Sequence, residues 1–493
     1  MLNLNNGAAN IKREILIRIA KLQFEGNLED GVHYIAREMF PRNQEPIRCC
    51  IFHDRELCRQ RVIARLGHSL EDYDDEKPLA EYAKTALGRE KPTEPMLTVL
   101  HDACNACVKA HYMVTNACQA CLARPCIMNC AKKAIQIVGQ RAQIDSGLCV
   151  NCGLCMQNCP YHAIIKIPVP CEEACPVGAI SKDENGKERI DYSKCIFCGA
   201  CMRECPFGAM MDKGQIVDVI KHLMSGKKVV AMYAPALAAQ FRGAPGQLEG
   251  ALHAAGFYKT FEVAYGADIT ADKEAAEFTE RMERGDVLMT TSCCPAYVRA
   301  VRLHVPALVP CISDTRSPMH YTAKLAKQEN PDYVTVFIGP CLAKRKEGLD
   351  DEYVDYVLSA EELGALFVAK NIDVAKSEVI LPQTPSTPSG RNFAHSGGVA
   401  DAVRKRLKNP EILRAGVIDG LDKNGMKQLN AYGKAVDAGS QADANLVEVM
   451  ACSGGCIAGP SVISNPKIAA VLLKKYADAG DQPDGRPVEG ADV

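Results

Sequence analysis

Three short stretches hold the residues best suited to chemistry. Thr291-Ser292-Cys293-Cys294-Pro295 follows the apolar run Val287-Leu288-Met289. Gly339-Pro340-Cys341 follows Val334-Thr335-Val336-Phe337-Ile338, and Ala451-Cys452-Ser453-Gly454-Gly455-Cys456 follows Leu446-Val447-Glu448-Val449-Met450. Each apolar run reads as a buried strand. Packing accounts for a buried strand, but poorly for a Cys-Cys-Pro at its end. In an open α/β sheet, ligands bind beyond the carboxyl ends of the strands. Three strand ends that deliver cysteine therefore predict one shared metal site, and thiolate ligands suit iron. The expectation is a redox centre that the rest of the chain supplies with electrons and protons.

A second set of cysteines, between residues 98 and 213, has the spacing to carry electrons. Cys149-x2-Cys152-x2-Cys155-x3-Cys159-Pro160 is the bacterial ferredoxin run, whose fourth cysteine ligates the other cluster of a pair. Cys118-x2-Cys121-x4-Cys126-x3-Cys130 is a variant partner. Crossed pairing predicts one [4Fe–4S] cluster on Cys118, Cys121, Cys126 and Cys159, and a second on Cys149, Cys152, Cys155 and Cys130. A third run, Cys195-x2-Cys198-x2-Cys201-x3-Cys205-Pro206, finds its partner halves in Cys171-x3-Cys175-Pro176 and Cys104-x2-Cys107. This predicts a third cluster on Cys195, Cys198, Cys201 and Cys175, and a fourth on Cys104, Cys107, Cys171 and Cys205. One two-cluster ferredoxin would then be inserted inside another. The fourth cluster has a rival reading, in which Cys104 and Cys107 are free or bind another metal. His162, in the turn after Cys159, reads as a surface residue. Cys49, Cys50 and Cys58 read as buried or free thiols, with His53 the only nearby candidate for a further ligand. Cys311 reads as a core thiol.

The composition fits this picture. The 493 residues suggest roughly three domains. The 58 basic and 60 acidic residues nearly balance, so no nucleic-acid partner is implied. No stretch approaches the ~20 apolar residues that cross a bilayer, so no membrane partner is expected. Met1 to Asn10 is polar and does not read as a signal peptide, which makes a cytoplasmic location the expectation. In that setting 25 cysteines mean metal or redox chemistry and not disulfides.

The elements that position these residues fall into four segments. Residues 1–97 read as mostly helical, with Ile11, Ile15, Ile19 and Leu22 on one face and a second helix around Val62 to Leu66. Residues 98–213 form the ferredoxin-type domain. Residues 214–475 read as an α/β domain, with a strand at Lys228–Tyr233, a helix at Ala271–Glu283, and a capping box at Ser359-Ala-Glu-Glu362. Leu381–Gly390 reads as a loop and Asp401–Lys408 as a basic helix. Residues 476–493 read as a disordered tail. The fold class is thus multidomain, α+β and α/β.

At these motifs the chain resembles the [FeFe]-hydrogenase family, and most closely its group B lineage. Thr291-Ser-Cys-Cys-Pro295, Pro340-Cys341-x-x-Lys344-x-x-Glu347 and Glu448-x-Met450-Ala-Cys452-x-Gly-Gly-Cys456 are similar to that family's three signatures. The resemblance runs from about Cys104 to Pro460. It implies that Cys294, Cys341, Cys452 and Cys456 hold the [4Fe–4S] cubane of an H-cluster. Cys456 would also bridge to a two-iron subsite carrying CO, cyanide and azadithiolate. Lys344 would donate to a cyanide ligand, Met450 would pack beside the two irons, and Pro235, Ala236, Pro340 and Gly455 would line the cofactor.

The resemblance also implies a proton path. Cys293, next to a ligand but not one itself, would exchange protons with the cofactor, as a thiol titrating near ~8.5 can. Glu274 and Glu277, at i and i+3 of one helix, would continue the path with Arg281 and Ser313. The partners implied are H2 and protons as substrates, an external carrier such as ferredoxin, and maturation proteins for the two-iron subsite. The sequence departs from the pattern at Gly339 (Met is usual), Ala236 (Ser), Met319 (Gln), Tyr297 (Trp) and Pro460, which interrupts a Gly run. Two alternatives stay open at this level. One is an H2 sensor without turnover, and the other is a non-catalytic electron-transfer or Fe–S assembly protein.

Overall fold

The computed structural model describes residues 6–71, 73–107, 111–382, 386–440 and 442–480. The chain begins with helix Gly7–Phe24, whose start is fixed by Asn6 accepting from the Ala9 amide at 2.9 Å. Ile15 and Ile19 are buried, with Ile11 and Leu22 at the margin of the same core. Helix Ile51–Arg65 begins eleven residues before the expected Val62 and buries Cys58, while Cys49 and Cys50 are exposed at its N-terminus.

The cysteine-rich region is built from short antiparallel pairs nested one inside the other. The outer pair joins Leu97–Val99 to Met210–Asp212, and Ile180–Lys182 to Glu188–Ile190. The inner unit is closed by His111–Val114 pairing with Ile164–Ile167, with the hairpin Ile135–Val138/Arg141–Ile144 inside it. One ferredoxin-like unit is thus inserted into another, as the cysteine spacing predicts.

The remaining chain forms two wholly parallel sheets, and this corrects the simplest form of the strand-end expectation. Val334–Ile338 lies in a four-stranded sheet, between Val229–Tyr233 and Tyr356–Leu358, with Lys259–Glu262 at the far edge. The strand before Cys293 and the strand Leu446–Met450 lie instead in a separate three-stranded sheet with Ala415–Asp419. The first of these comprises only Met289–Thr290; Val287 and Leu288 precede it. Val229–Tyr233, Val334–Ile338 and Leu446–Met450 are buried at every position. Continuous apolar runs of this kind mark parallel strands covered on both faces.

The helices pack closely around these sheets. The long helix Val263–Arg284 begins eight residues before the expected start and stops at Gly285, whose φ of +92° suits a glycine terminator. Helix Pro318–Glu329 crosses it at Gly266. A β-carbon there would lie 2.3 Å from the Pro318 carbonyl oxygen, so only glycine permits the approach. The Ser359/Glu362 capping box forms as expected. The stretch read as a loop to Gly390 includes the start of helix Pro388–Asn392, capped by Thr387. The basic helix spans Gly398–Arg406. Helix Pro466–Asp478 runs past residue 475 because Leu473 and Ala477 bury against the domain; the rest of the predicted tail, 481–493, lies outside the described residues.

One buried ion network ties the regions together. Arg65 of the N-terminal helices pairs with Asp212, the last residue of the outer ferredoxin strand, at 2.6 Å. Arg345 of the α/β domain reaches Asp212 at 3.1 Å and also pairs with Glu362. All four side chains are at most 1% exposed. Among the described residues no helix is long and apolar enough to cross a membrane.

Candidate metal centres and proton path

The first Cys-x-x-Cys of each of four runs shares one backbone feature that the sequence does not advertise. The residue before the second cysteine is left-handed in each: Ala106 (φ +47°), Ala120 (+47°), Asn151 (+55°) and Phe197 (+53°). A non-glycine residue in this region is uncommon, and its cost is tolerated at sites that need it. The four single cysteines that follow a short helix or turn share a second feature. Cys130, Cys159, Cys175 and Cys205 each accept a hydrogen bond at Sγ from the amide four residues on, at 3.3, 3.4, 3.2 and 3.4 Å. The residue before that amide is again left-handed: Lys133, His162, Gly178 and Gly208. His162 is exposed, as expected.

These turns gather the cysteines in fours. Cys118, Cys121, Cys126 and Cys159 line one small cavity. Cys175, Cys195, Cys198 and Cys201 line a second, and Cys104, Cys107, Cys171 and Cys205 a third. Cys155 lies beside Cys149 and Cys152 and shares an apolar cluster with Cys130. Among the described residues no three metal-binding side chains converge on a single ion. The thiols stand apart around a common space, as the corners of a cluster would require, and amides aimed at sulfur are the donors that tune such a cluster. The residues present therefore fit [4Fe–4S] groups.

The Cys195 set leads directly into the α/β domain. Gly199 abuts Pro460, where a β-carbon would meet the ring at 2.5 Å. Arg203 donates to the Ala458 carbonyl at 3.0 Å, and Arg299 to the Cys195 carbonyl at 2.7 Å. Cys171, Cys195, Cys201, Cys294 and Cys341 all belong to one apolar cluster.

The strand-end cysteines of both sheets meet here. Cys294 precedes helix Pro295–His304, Cys341 follows Val334–Ile338, and Cys452 and Cys456 flank a turn with Gly454 at φ +86° and Gly455 at φ +89°. Gly455 presses on the Ala394 carbonyl, leaving no room for a side chain. Burial raises all four thiols, and neighbouring thiols add to it at Cys341, Cys452 and Cys456, so Cys341 and Cys456 are each pushed up to about 12. The four lie close enough to act on one another's charge: Cys294, Cys341 and Cys456 all raise Cys452, and Cys294 and Cys341 raise Cys456. Four enclosed thiols ionise together only if a cation neutralises them, which is the setting a metal cluster provides.

The other pocket residues surround these thiols. Lys344 is buried, donates to Ser317 Oγ at 2.9 Å, and pairs with Glu347 at 2.7 Å. Burial opposes its charge, but Glu347 outweighs that and keeps the ammonium protonated. Met450 packs in one cluster with Cys293, and Ala236 in another with Cys456. Pro235 and Pro340 are buried close by. The departure at Gly339 has a steric cause: a β-carbon would lie 2.9 Å from the Phe337 ring, which takes that space and sits 6.0 Å from Lys344 Nζ. Met319 packs in the core with Phe337, and the Tyr297 hydroxyl donates to Thr290 at 2.6 Å.

Behind Cys293 lies a line of titratable groups. Glu274 is fully buried and accepts from the Ser292 amide at 3.1 Å, while its Oε2 has no hydrogen-bond partner among the described residues. Burial pushes its carboxyl up to about 8, with Glu277 and Glu448 adding to the shift. Glu277 accepts from Ser313 Oγ at 2.6 Å and Thr315 Oγ1 at 3.1 Å, and pairs with Arg281 at 2.7 Å. Arg281 also reaches Asp314, which is 95% exposed. The Ser292 amide donates to Glu274 and its hydroxyl to the Thr315 carbonyl, while the Thr315 hydroxyl donates to Glu277, so Ser292 and Thr315 together link the two carboxylates. Sequence spacing gave no role to Ser292 or Thr315, since hydroxyls carry no period, and it placed Glu448 in a signature without a role of its own. Glu448 is buried, accepts from the Gly397 and Ala400 amides at 2.8 Å each, and adds its charge beside Cys293.

A family profile described as "Iron only hydrogenase large subunit, C-terminal domain" matches residues 227–460, and a 4Fe-4S binding domain matches 142–165 and 188–211. The periplasmic [Fe] hydrogenase large subunit of Nitratidesulfovibrio vulgaris is 30% identical over 64% of this chain and 85% of its own length. Iron hydrogenase 1 of Clostridium pasteurianum is 31% identical over 47% of this chain and 48% of its own, so the chain spans about half of that relative. A probable cytosolic Fe-S cluster assembly factor of Drosophila willistoni is 24% identical over 43% of this chain and 56% of its own. A solved [FeFe]-hydrogenase of Chlamydomonas reinhardtii aligns with 52% of this chain and 86% of its own at 22% identity, with a TM-score of 0.41.

Proposed function

This chain belongs to the iron-only, or [FeFe], hydrogenase family, and on that premise we propose that it interconverts protons, electrons and H2. The observation that carries the reading is the gathering of Cys294, Cys341, Cys452 and Cys456 within electrostatic reach of one another, with Lys344 and Cys293 beside them and Glu274 next to Cys293. Cys294, Cys341, Cys452 and Cys456 would hold the cubane of an H-cluster, and Cys456 its two-iron subsite. Once bound, that group supplies iron at which two electrons and two protons combine. Lys344 offers a fixed positive charge to an anionic ligand, held in place by Ser317 and Glu347. Met450, Ala236 and Pro235 exclude water.

Cys293 holds the proton nearest the site and Glu274 holds the next. Glu277, Ser313 and Arg281 carry the line outward to Asp314. Electrons take a separate course through the thiol sets, entering the site past Gly199 and Pro460. The two currents meet only at the cofactor, so each is tuned by its own side chains.

The deciding test is H2 evolution from reduced methyl viologen by anaerobic protein with reconstituted clusters and an installed two-iron subsite. Turnover establishes the enzyme. An intact cofactor by infrared spectroscopy without turnover would identify an H2 sensor. Failure to take up the cofactor would leave an electron-transfer or assembly protein, as the assembly-factor relatives allow.

Two further outcomes are expected. Glu274→Gln should slow turnover by ~10²-fold or more, as loss of a positioned proton carrier does. In the parent chain a rise through pH 8 should ionise Glu274 and change the rate, a step missing in the Gln variant. Glu274 also bears on stability. The carboxyl is neutral in the folded chain up to about pH 8, whereas an unfolded Glu ionises near ~4.3. Its contribution is therefore fully present below ~4.3 and lost as pH rises to about 8. Melting temperatures recorded against pH should show that slope shrink in Glu274→Gln; an unchanged slope would contradict the burial argument. Separately, Cys107→Ala with Cys171→Ala should lower bound iron by roughly four atoms per chain. Cys311→Ala, a core change, should leave iron content unaltered, and iron and acid-labile sulfide assays read both.

A further inference from the structure

The inserted lobe, residues 111–167, differs from the rest of the surface in two respects. It carries nine of the 23 exposed large apolar side chains, including Leu122 at 99% and Met128 at 79% exposure. It also has five basic residues against one acidic, in a chain whose total charge is −2. The single acid, Asp145, is engaged in its own turn, accepting from the Gly147 amide at 2.8 Å. Lys132 and Lys133 are exposed, and no hydrogen bond or ion pair of either side chain is seen among the described residues.

Several of these features lie near one set of thiols. Cys152 is exposed, whereas the other fifteen thiols of the ferredoxin-type region are buried or half-buried. Exposed Leu148, Val150 and Leu154 flank it in sequence. Lys132 and Lys133 lie two and three residues after Cys130, the fourth thiol assigned to the same set. The strands and helices of the lobe pack mainly on one another, which leaves this face open.

We propose that this face docks a small acidic iron–sulfur carrier protein, and that electrons cross between it and the cluster held by Cys130, Cys149, Cys152 and Cys155. The inference rests on the hydrogenase reading, which requires an external electron carrier, and adds to it the port and the sign of the partner's charge. Exposed apolar side chains in a lobe of net positive charge suit a brief encounter. The charges steer an acidic partner and set the on-rate, and the apolar side chains allow close approach without a large interface. One electron passes from the carrier's reduced cluster to the chain's oxidised cluster, and no bond is made or broken.

The test is stopped-flow bleaching of the chain's own cluster absorbance by a reduced acidic [4Fe–4S] ferredoxin, at low and high salt. Lys132→Glu/Lys133→Glu is run beside the parent, with iron content checked in both. The parent rate constant is expected to fall steeply with salt, as screening of opposite charges requires. The double variant is expected to be at least ~10-fold slower at low salt and nearly salt-independent. H2 evolution from methyl viologen, a small donor that needs no docking face, should be equal in the two. Equal ferredoxin rates and equal salt slopes in parent and variant would overturn the proposal. If methyl viologen yields no H2 from either protein, the hydrogenase reading fails, while the bleaching experiment still decides the docking face.

Discussion

Cys293→Ala is expected to abolish H2 turnover, lowering the rate by ~10²–10⁴-fold, the range that a positioned proton donor contributes. The infrared bands of the bound cofactor should be unchanged, because Cys293 is not among the four thiols assigned to the metal. An ordinary thiol near ~8.5 is what the sequence alone suggests for this position. The structure alters that: burial pushes the Cys293 thiol well up, and the neighbouring Glu274 and Glu448 push it the same way. The thiol therefore stays protonated at neutral pH and hands on a proton only as another arrives from Glu274. Cys293→Ser should also lose most activity, since an alcohol releases its proton still less readily. An Ala variant within ten-fold of the parent would remove Cys293 from the path and leave Glu274 to serve some other route.

Arg345→Met should cost ~3–5 kcal/mol of stability, the penalty for removing one partner from a buried ion pair. The change leaves Glu362 without its cation and Asp212 with only Arg65, all almost wholly out of water. Denaturant unfolding would measure the loss, and a shift below ~1 kcal/mol would show that water reaches the network. The effect should depend on pH. Burial opposes the Asp212 carboxylate, but Arg65 and Arg345 outweigh it and hold the group well below its usual range. The folded value lies below the unfolded one, so the stabilisation is fully present above ~3.9 and is lost as pH falls from there. The parent should thus lose stability in acid more steeply than the variant. Arg345 directly follows Lys344, so the same change should also loosen the cofactor pocket, read as a lower yield of matured protein.

Much of this arrangement can be read from residue order because cysteine spacing and apolar runs are strong local signals. Val334–Ile338 and Leu446–Met450 are strands at the bounds their apolar runs suggest, and the nesting of ferredoxin units follows from which runs lack partners. Other features depend on what only folding brings together. Two short sheets replace a single one, since a two-residue strand such as Met289–Thr290 has too little pattern to declare its neighbours. The left-handed residues at Ala106, Ala120, Asn151 and Phe197 have no common side chain, so only the backbone reveals their shared role. The Arg65–Asp212–Arg345–Glu362 network joins residues up to 297 positions apart; Glu362 reads locally as a helix cap, and nothing in the order of the other three marks them as partners. Thr387 as a cap and Ser292 as a link between carboxylates are equally silent, because a hydroxyl takes its role from its surroundings.

The pairing of His111 with Ile167 has a consequence for how such a molecule is assembled over time. The inner lobe leaves and rejoins the host at neighbouring hydrogen-bonded positions, and the cysteines assigned to its two clusters all lie between them. It can be grafted in or cut out without re-threading the host and without taking a ligand from the outer pair. The molecule's wiring is in that sense modular: its reach toward outside donors can lengthen or shorten by a whole unit, while the buried chamber where the chemistry is proposed keeps its form.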